Sequence, residues 1–593
     1  MQSLKISYDV FPERWYKQVE KFVLGGLRFN EEQKKFIHHL DSSVIEAGPG
    51  SGKTTALAAK VALLLKKIEI DGSIKGVCVI THTNAAVDEI LKVLKNLGFN
   101  DIPHPHFIGT IHEFFNKYGM FPLLKGLNNK LIDIHFSEET ALIRHFKNEL
   151  SKKHRWLKSK GQSYIRNSNG LLNRLINSHL YFDEGGKLDA KTYQNGSFDK
   201  YKEDYLIIKN ESWKKGIFHV NDTFCLAQKY FELNNVKRRL RKRFTYLLMD
   251  EYQDVSPLAF RLLKELFLVE GNVFQMIGDS NQHIAYGNPE VPTGEFNTYY
   301  LNQTNRFGDS VTNVLNNMFN DNLQATKPKK SLQPVLFLYK NPKKLPDCFT
   351  RFLNQQNILL SPDQTPILVA ARNHSRDLGL QLNKTTQMKS SSSFQRAKNE
   401  VYKLLAEKTN LHIKSIVKEL QGNFVSYELK INKELMDYYR HNTNYTLIKD
   451  SINLFLGVFG SISKVNITNK LFERLERIKE TKYSSLTKES SGTSIKTIHD
   501  LKGQTVMANM VYLVKGSREE YAFLKNYTTL IERPKYYNDI NQRVVFVAMS
   551  RVTTLLSVAL HEETYNNLVE ETRMKLKKDF NIVSENDIEG LYD

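Results

Sequence analysis

From Ser43 to Lys60 the chain reads Ser-Val-Ile-Glu-Ala-Gly-Pro-Gly-Ser-Gly-Lys-Thr-Thr-Ala-Leu-Ala-Ala-Lys: a short apolar run, a glycine-rich turn and the start of a helix. The chemistry this spacing offers is the cradling of phosphate. Gly48, Gly50 and Gly52 are expected to take positive φ and turn successive N–H groups inward, while the dipole of the following helix favours an anion. Lys53 then supplies a point charge for β- and γ-phosphates, and the Thr54 hydroxyl stands where it could ligate Mg²⁺. The candidate nucleotide-binding segment is Ala47, Gly48, Pro49, Gly50, Ser51, Gly52, Lys53, Thr54 and Thr55. Ala47 departs from the strict pattern, which has Gly there, but a small residue still permits the turn.

A second constellation lies at 247–254, Leu-Leu-Met-Asp-Glu-Tyr-Gln-Asp. It places acids just past the carboxyl end of an apolar strand, where ligands bind in open α/β sheets. Asp250 is expected to hold Mg²⁺ through water, and Glu251 to act as the general base that polarises an attacking water. Many Asp-Glu pairs are solvated strand ends; the phosphate loop upstream favours the catalytic reading here.

These residues need a scaffold. At 593 residues the chain is too long for one core, and composition (25% charged, 41% hydrophobic) is ordinary for a globular protein. The net charge of +20 favours a polyanionic partner, nucleic acid or a membrane surface, over solubility alone. Cys78, Cys225 and Cys348 are far apart and form no metal spacing or disulfide framework. No run of 18 apolar residues and no export signal is present, so a cytoplasmic protein without a membrane span is expected.

Residues 29–40 read as a capped amphipathic helix with Asn30 as N-cap and Gln33 as its third residue. Apolar runs at 76–80 and 107–110, with a helical period over 83–97, imply strand and helix in alternation and hence a parallel sheet. Further strands are expected at 244–250, 273–278, 334–339, 367–371, 510–514 and 555–560. The fold class read from this is α/β, with two cores each interrupted by a mainly helical insertion. Residues 1–115 and 241–305 make core 1A around insertion 1B (116–240). Residues 306–384 and 491–593 make core 2A around insertion 2B (385–490), which follows a linker-like Ser390–Ser393 run. The Lys237–Arg243 cluster reads first as a solvated helix face, with DNA contact as the alternative.

The motifs resemble those of the UvrD/Rep-like branch of superfamily 1A helicases across both α/β cores, which implies two RecA-like lobes. Beyond the phosphate loop and the acid box, the resemblance rests on Thr81–Ala86, Gly109–His112, Ile277–Gln282, Leu301–Phe307, Thr497–Gly503 and Val547–Arg551. It implies an adenine-reading Gln33, a γ-phosphate sensor at Gln282, a cleft contact at Gly503, and γ-phosphate arginines at Arg306 and Arg551 on the cleft's second side. It also implies ATP with Mg²⁺ as cofactors. Two departures, Asn305 where a stacking Tyr is usual and Gln504-Thr505 where a ribose-touching Glu is usual, leave GTP or a dNTP open. For DNA the resemblance implies contacts at Thr83, Asn84, His112 and His499, with Tyr286 as the stacking aromatic or a core filler.

The Lys-Gly-Gln-Thr variant is similar to a subgroup of short bacterial helicases encoded beside nucleases, notably the helicase-like subunit of the Gabija antiphage system. That implies an ATP-dependent helicase or translocase, moving 3′ to 5′ on single-stranded or tailed DNA. It further implies a partner: an OLD-family nuclease with a TOPRIM domain. The alternatives are a DNA-end sensor that hydrolyses nucleotide but unwinds little, and a repair helicase. A small-molecule kinase or GTPase switch would need neither Arg306 nor Arg551 and would not explain the charge.

Overall fold

Gly76–Thr81 carries Val, Cys, Val and Ile in succession, and an apolar run without alternation belongs to a strand covered on both faces. It is buried at all six positions. The computed structural model describes residues 10–99, 101–127, 135–136, 139–154, 178–191, 199–214, 217–284, 296–319, 322–358, 360–361, 363–379, 393–409, 446–458, 494–535, 537–585 and 587, with 416–417, 420, 427, 430–431, 434–435, 438, 473 and 475. Its larger unit comprises Met1–Asn357, Ser361–Leu380 and Ile495–Asp593, its smaller one Ile358–Leu360 and Gln381–Ser494.

The larger unit holds two six-stranded sheets. The first contains β1 (Ser43–Ala47), β2 (Gly76–Thr81), β3 (Phe107–Thr110), β4 (Phe244–Asp250), β5 (Val273–Gly278) and β6 (Asn297–Leu301), in the order β6-β1-β5-β4-β2-β3. Every pairing is parallel. Alternate side chains point to opposite faces, so Ile45, Val77, Val79, Leu248 and Ile277 enter one core with helix α2 (Lys53–Ile70), and Val44, Cys78, Ile80, Leu247 and Met249 enter another with helix α5 (Pro257–Phe267). Each fully buried Val, Ile or Leu of these cores contributes about 1.5–3 kcal/mol.

Helix α1 (Glu31–His38) starts as its sequence requires. The Asn30 side chain accepts from Gln33 N at 2.8 Å, and Gln33 Oε1 accepts from Asn30 N at 3.0 Å, a reciprocal cap. Helix α3 (Asn84–Asn96) is capped by the Thr83 hydroxyl, which accepts from Ala86 N.

The second sheet contains β7 (Val335–Tyr339), β8 (Ile367–Val369), β9 (Ile495–Thr497), β10 (Val506–Tyr512), β11 (Val552–His561) and β12 (Asn581–Ser584), in the order β9-β8-β10-β11-β7-β12, again all parallel. Its core gathers Leu336, Leu368, Val511, Leu556 and Val558 with the helix α6 (Asp539–Met549), whose Val545–Met549 are wholly buried. Together the two lobes are an α/β architecture of two RecA-like cores. β6, β9 and β12 were not expected. All three are edge strands, and β6 buries only Leu301 fully, so neither an apolar run nor a clear alternation marks it.

Between β3 and β4 the chain is less uniformly helical than its composition suggests. Helices Glu139–Lys153 and Asp199–Lys214 are joined by an antiparallel pair, His179–Phe182 with Leu188–Lys191, and a short parallel pair, His135–Phe136 with Ile217–Phe218. Lys209 and Asp222, both fully buried, form an ion pair of 2.8 Å, and Trp213 Nε1 also donates to Asp222. In the smaller unit, helices Ser393–Thr409 and Thr446–Val458 bring Val401, Leu405, Ile452 and Phe455 into one core. Of the linker-like run, Ser390–Ser392 lies outside the described residues and Ser393 opens a helix. All three cysteines are buried, and no helix among the described residues is long and apolar enough to cross a membrane.

Candidate nucleotide site

Strand order decides what meets. β1, β5 and β4 are neighbours with Glu46 level with Gly278 and Asp250 level with Ile277, so the segments leaving their carboxyl ends converge. After β1, Gly50 and Gly52 have φ of 80° and 75°, and Gly52 caps α2 in the left-handed region. A Cβ on Gly50 would lie 2.4 Å from both Arg306 Cβ and Thr304 Oγ1, so this glycine serves both conformation and close approach. The expectation of positive φ at Gly48 is corrected. Gly48 has no left-handed φ; it serves close packing, since a Cβ there would lie 2.3 Å from Leu323 Cδ2.

Lys53 opens α2 and places Nζ 2.6 Å from Glu251 Oε1. Burial works against the lysine's charge, but the carboxylates of Glu251 and Asp250 outweigh it and raise its pKa. Glu251 sits at φ 53°, ψ 44°, a left-handed conformation that costs a non-glycine residue about 1–3 kcal/mol and clusters at functional sites. Its side chain is fixed by Gln253 Nε2, which donates to Oε2 at 2.6 Å. Burial alone would raise the Glu251 pKa; the Lys53 ammonium reverses this and holds it below the usual carboxylate range. Asp250, 1% exposed, is raised by burial.

From there a hydrogen-bond chain runs to the second lobe. Gln253 Oε1 accepts from Asp279 N (3.1 Å), Asp279 Oδ2 accepts from Gln282 Nε2 (2.7 Å), and Gln282 Oε1 accepts from Arg551 Nη2. Arg551 also donates to Val547 O, and Arg306 Nη1 donates to Ser550 O at 2.8 Å. Burial lowers the pKa of both arginines; at Arg306, brought down to about 9, the Arg551 charge adds to it. Neither guanidinium has a carboxylate within ion-pair distance among the described residues. Two cations, Arg551 buried and Arg306 half-buried, thus face one cleft, with the carboxylates of Glu251 and Asp279 near but not paired to them, an arrangement that suits an added anion.

The cleft has a volume of ≈ 440 Å³ and is lined by the loop from Ala47 to Thr55 with Glu251, Gln282, Arg306, Gly503 and Arg551. The buried Ser51 Oγ has no hydrogen-bond partner among the described residues. These residues fit a polyphosphate. Mg²⁺ is ordinarily held by one or two protein oxygens plus substrate phosphates. Thr54 and Asp250 are the residues that would supply them.

Gln33 is not in the lining. Its Nε2 donates to Ser51 O at 2.8 Å while its Oε1 serves the helix cap, so here the amide braces the loop. The DNA candidates lie elsewhere on the same lobe edge. β2 and β3 end level, Thr81 with Thr110, and Thr83, Asn84 and His112 follow them. The Thr83 and Asn84 side chains are exposed, as is His499 on the second lobe. His112 Nε2 lies 3.2 Å from Asn221 Oδ1 and its ring 4.9 Å from Phe224, so it ties the lobe to the inserted segment. Tyr286 lies outside the described residues.

Sequence reasoning passed over three groups. Glu46 accepts from Tyr252 OH and, at 3.2 Å, from Ser280 N, tying β1 to both neighbouring boxes; a carboxylate inside an apolar strand was its signal. Gln253 and Asp279 carry the relay. Lys502 Nζ meets both oxygens of Asp254 at 2.7 and 2.8 Å, an ion pair between lobes.

Fold and site together define a two-lobed α/β protein whose phosphate loop is completed by arginines from a second lobe. Residues 29–287 match the model of the family described as UvrD/REP helicase N-terminal domain. The Probable DNA helicase II homolog of Mycoplasma capricolum subsp. capricolum is 24% identical over 50% of this chain and 39% of that protein. ATP-dependent DNA helicase Rep of Buchnera aphidicola subsp. Schizaphis graminum is 26% identical over 44% of this chain and 37% of that protein. Against these two the chain spans less than half of the relative's length. Gabija protein GajB of Bacillus cereus is 24% identical over 91% of this chain and 97% of that protein.

Proposed function

We propose that the chain is a nucleotide-hydrolysing motor on single-stranded DNA, translocating 3′ to 5′. The observation that carries this reading is the pair of arginines facing the phosphate loop, Arg551 buried and Arg306 half-buried, with no carboxylate at ion-pair distance among the described residues. Lys53 and the loop N–H groups bind the β- and γ-phosphates, Glu251 takes the proton of the attacking water, and Gln282 orients it. Arg306 and Arg551 stabilise charge developing on the transferred phosphoryl oxygens, an effect worth about 10³–10⁵ in rate where an arginine plays this part. Mg²⁺, when bound by Thr54 and Asp250, neutralises charge on the phosphates. Because both arginines belong to the second lobe, hydrolysis is tied to cleft closure. ATP is the proposed nucleotide; Asn305, Gln504 and Thr505 leave GTP or a dNTP as substrates to be compared.

Residues 116–240 and 385–490 are read as insertions 1B and 2B, leaving the two cores free to close. The match along nearly the whole length of the GajB protein supports a role in antiphage defence with an OLD-family TOPRIM nuclease, in the cytoplasm. Strand displacement on a 3′-tailed duplex tests the motor. Unwinding by the isolated chain that Lys53→Ala abolishes supports it; DNA-stimulated hydrolysis with no unwinding favours an end-sensing ATPase.

A further inference from the structure

Helix α4 (Asn234–Arg243) has six cations in ten residues and neither an acid nor an aromatic. Three cations are occupied by the fold. Arg241 donates to Leu266 O (2.9 Å) and Glu265 O (2.7 Å), capping the last turn of α5. Arg243 donates to Pro105 O and lies 5.2 Å from the Tyr118 ring centroid; Lys237 reaches Glu265 at 3.8 Å. Arg238, Arg239 and Lys242 remain, all exposed and none with a hydrogen-bond or ion-pair partner among the described residues. At 100° per residue they fall within about 100° of arc, on one side of the helix.

This face is remote from the cleft. The helix runs directly into the first residue of β4, and the acids stand at the strand's other end, roughly 20 Å away at strand rise. Single strands are gripped by aromatic platforms as well as charge, and protein interfaces have apolar or aromatic anchors. The α4 face offers neither. An array of bare cations matches phosphates alone, which is how duplex backbone is held without regard to sequence.

We infer that Arg238, Arg239 and Lys242 form a second DNA contact, holding the backbone of a duplex outside the motor cleft. The inference rests on the reading of the chain as a DNA protein but not on its being a motor. The experiment is binding of the full chain to a blunt duplex of about 20 base pairs as a function of salt, with wild type, Arg238→Gln/Arg239→Gln/Lys242→Gln and the charge-keeping Arg238→Lys/Arg239→Lys/Lys242→Arg. Neutralisation is expected to flatten the slope of log K against log salt by about 3, at about 0.9 per phosphate contact, and the charge-keeping variant to bind as wild type. Thermal melting confirms that both variants fold. An unchanged slope overturns the inference, as does binding of a polyglutamate peptide, rather than the duplex, that is lost on neutralisation. Hydrolysis stimulated by a short single strand, measured on the same samples, reports separately on the motor. It is expected to stay within about twofold, and a loss parallel to duplex binding would put the face in the single-strand path and overturn the inference.

Discussion

Glu251→Gln separates the two roles the geometry gives this carboxylate. It is proposed to take a proton from water, yet it also lies 2.6 Å from Lys53, the residue proposed to bind phosphate. With the two side chains 16% and 28% exposed, an effective dielectric near 20 gives a gross attraction of about 6 kcal/mol; desolvation offsets much of it, leaving about 1–3 kcal/mol that a phosphate must overcome. The amide is isosteric and can still accept from Gln253, so the left-handed turn is kept. Removing the charge frees Lys53, and nucleotide affinity is expected to rise about 5- to 150-fold. Turnover is expected to fall by about 10²–10⁴, the usual contribution of a general base. Equilibrium binding of a fluorescent nucleotide with Mg²⁺, and steady-state hydrolysis with a single-stranded oligonucleotide, read the two effects. Turnover within threefold of wild type would refute the base. Weaker binding would show that the pair orients Lys53 rather than competing for it.

Arg551→Ala should lower hydrolysis by about 10³ or more and, by stranding the buried Gln282 Oε1, destabilise by about 1–3 kcal/mol; Arg551→Lys should recover stability but not rate, and equal recovery of both in chemical denaturation and hydrolysis assays would contradict the role. Gly50→Ala should abolish nucleotide binding in calorimetry, since both the φ of 80° and the approach of Arg306 exclude a Cβ; retained affinity would mean the loop adapts. His39, 5% exposed, has its pKa lowered to about 4 by burial and by the Lys60 charge, with Asp41 opposing. The unfolded chain therefore binds a proton that the folded one refuses, and stability is full above about pH 6.5 and lost as pH falls towards 4, by about 3 kcal/mol. Urea unfolding of His39→Leu should show no such limb; a curve parallel to wild type would reassign it.

The parts of this site that local rules control were legible beforehand. The Asn30–Gln33 cap, the glycine turn before Lys53 and the apolar strand ending in Asp250 each declare themselves within a few residues. What was not legible depends on distant pairing. Lys502 and Asp254 are 248 positions apart and Glu46 and Tyr252 206; the packing of one lobe on the other brings the first pair together, and sheet order the second. The Gly48 expectation failed because a motif names a glycine without saying whether conformation or contact demands it. β6 escaped because an edge strand buries one face at most and so needs little apolar pattern.

In the proposed motor, nucleotide hydrolysis drives movement along one strand. Displacement of streptavidin from a biotinylated single-stranded oligonucleotide measures this with no duplex present. Release is expected from the 5′ end, dependent on hydrolysable nucleotide and absent in Lys53→Ala, with little release from the 3′ end. No release from either end, with hydrolysis indifferent to the length of the strand, would contradict it.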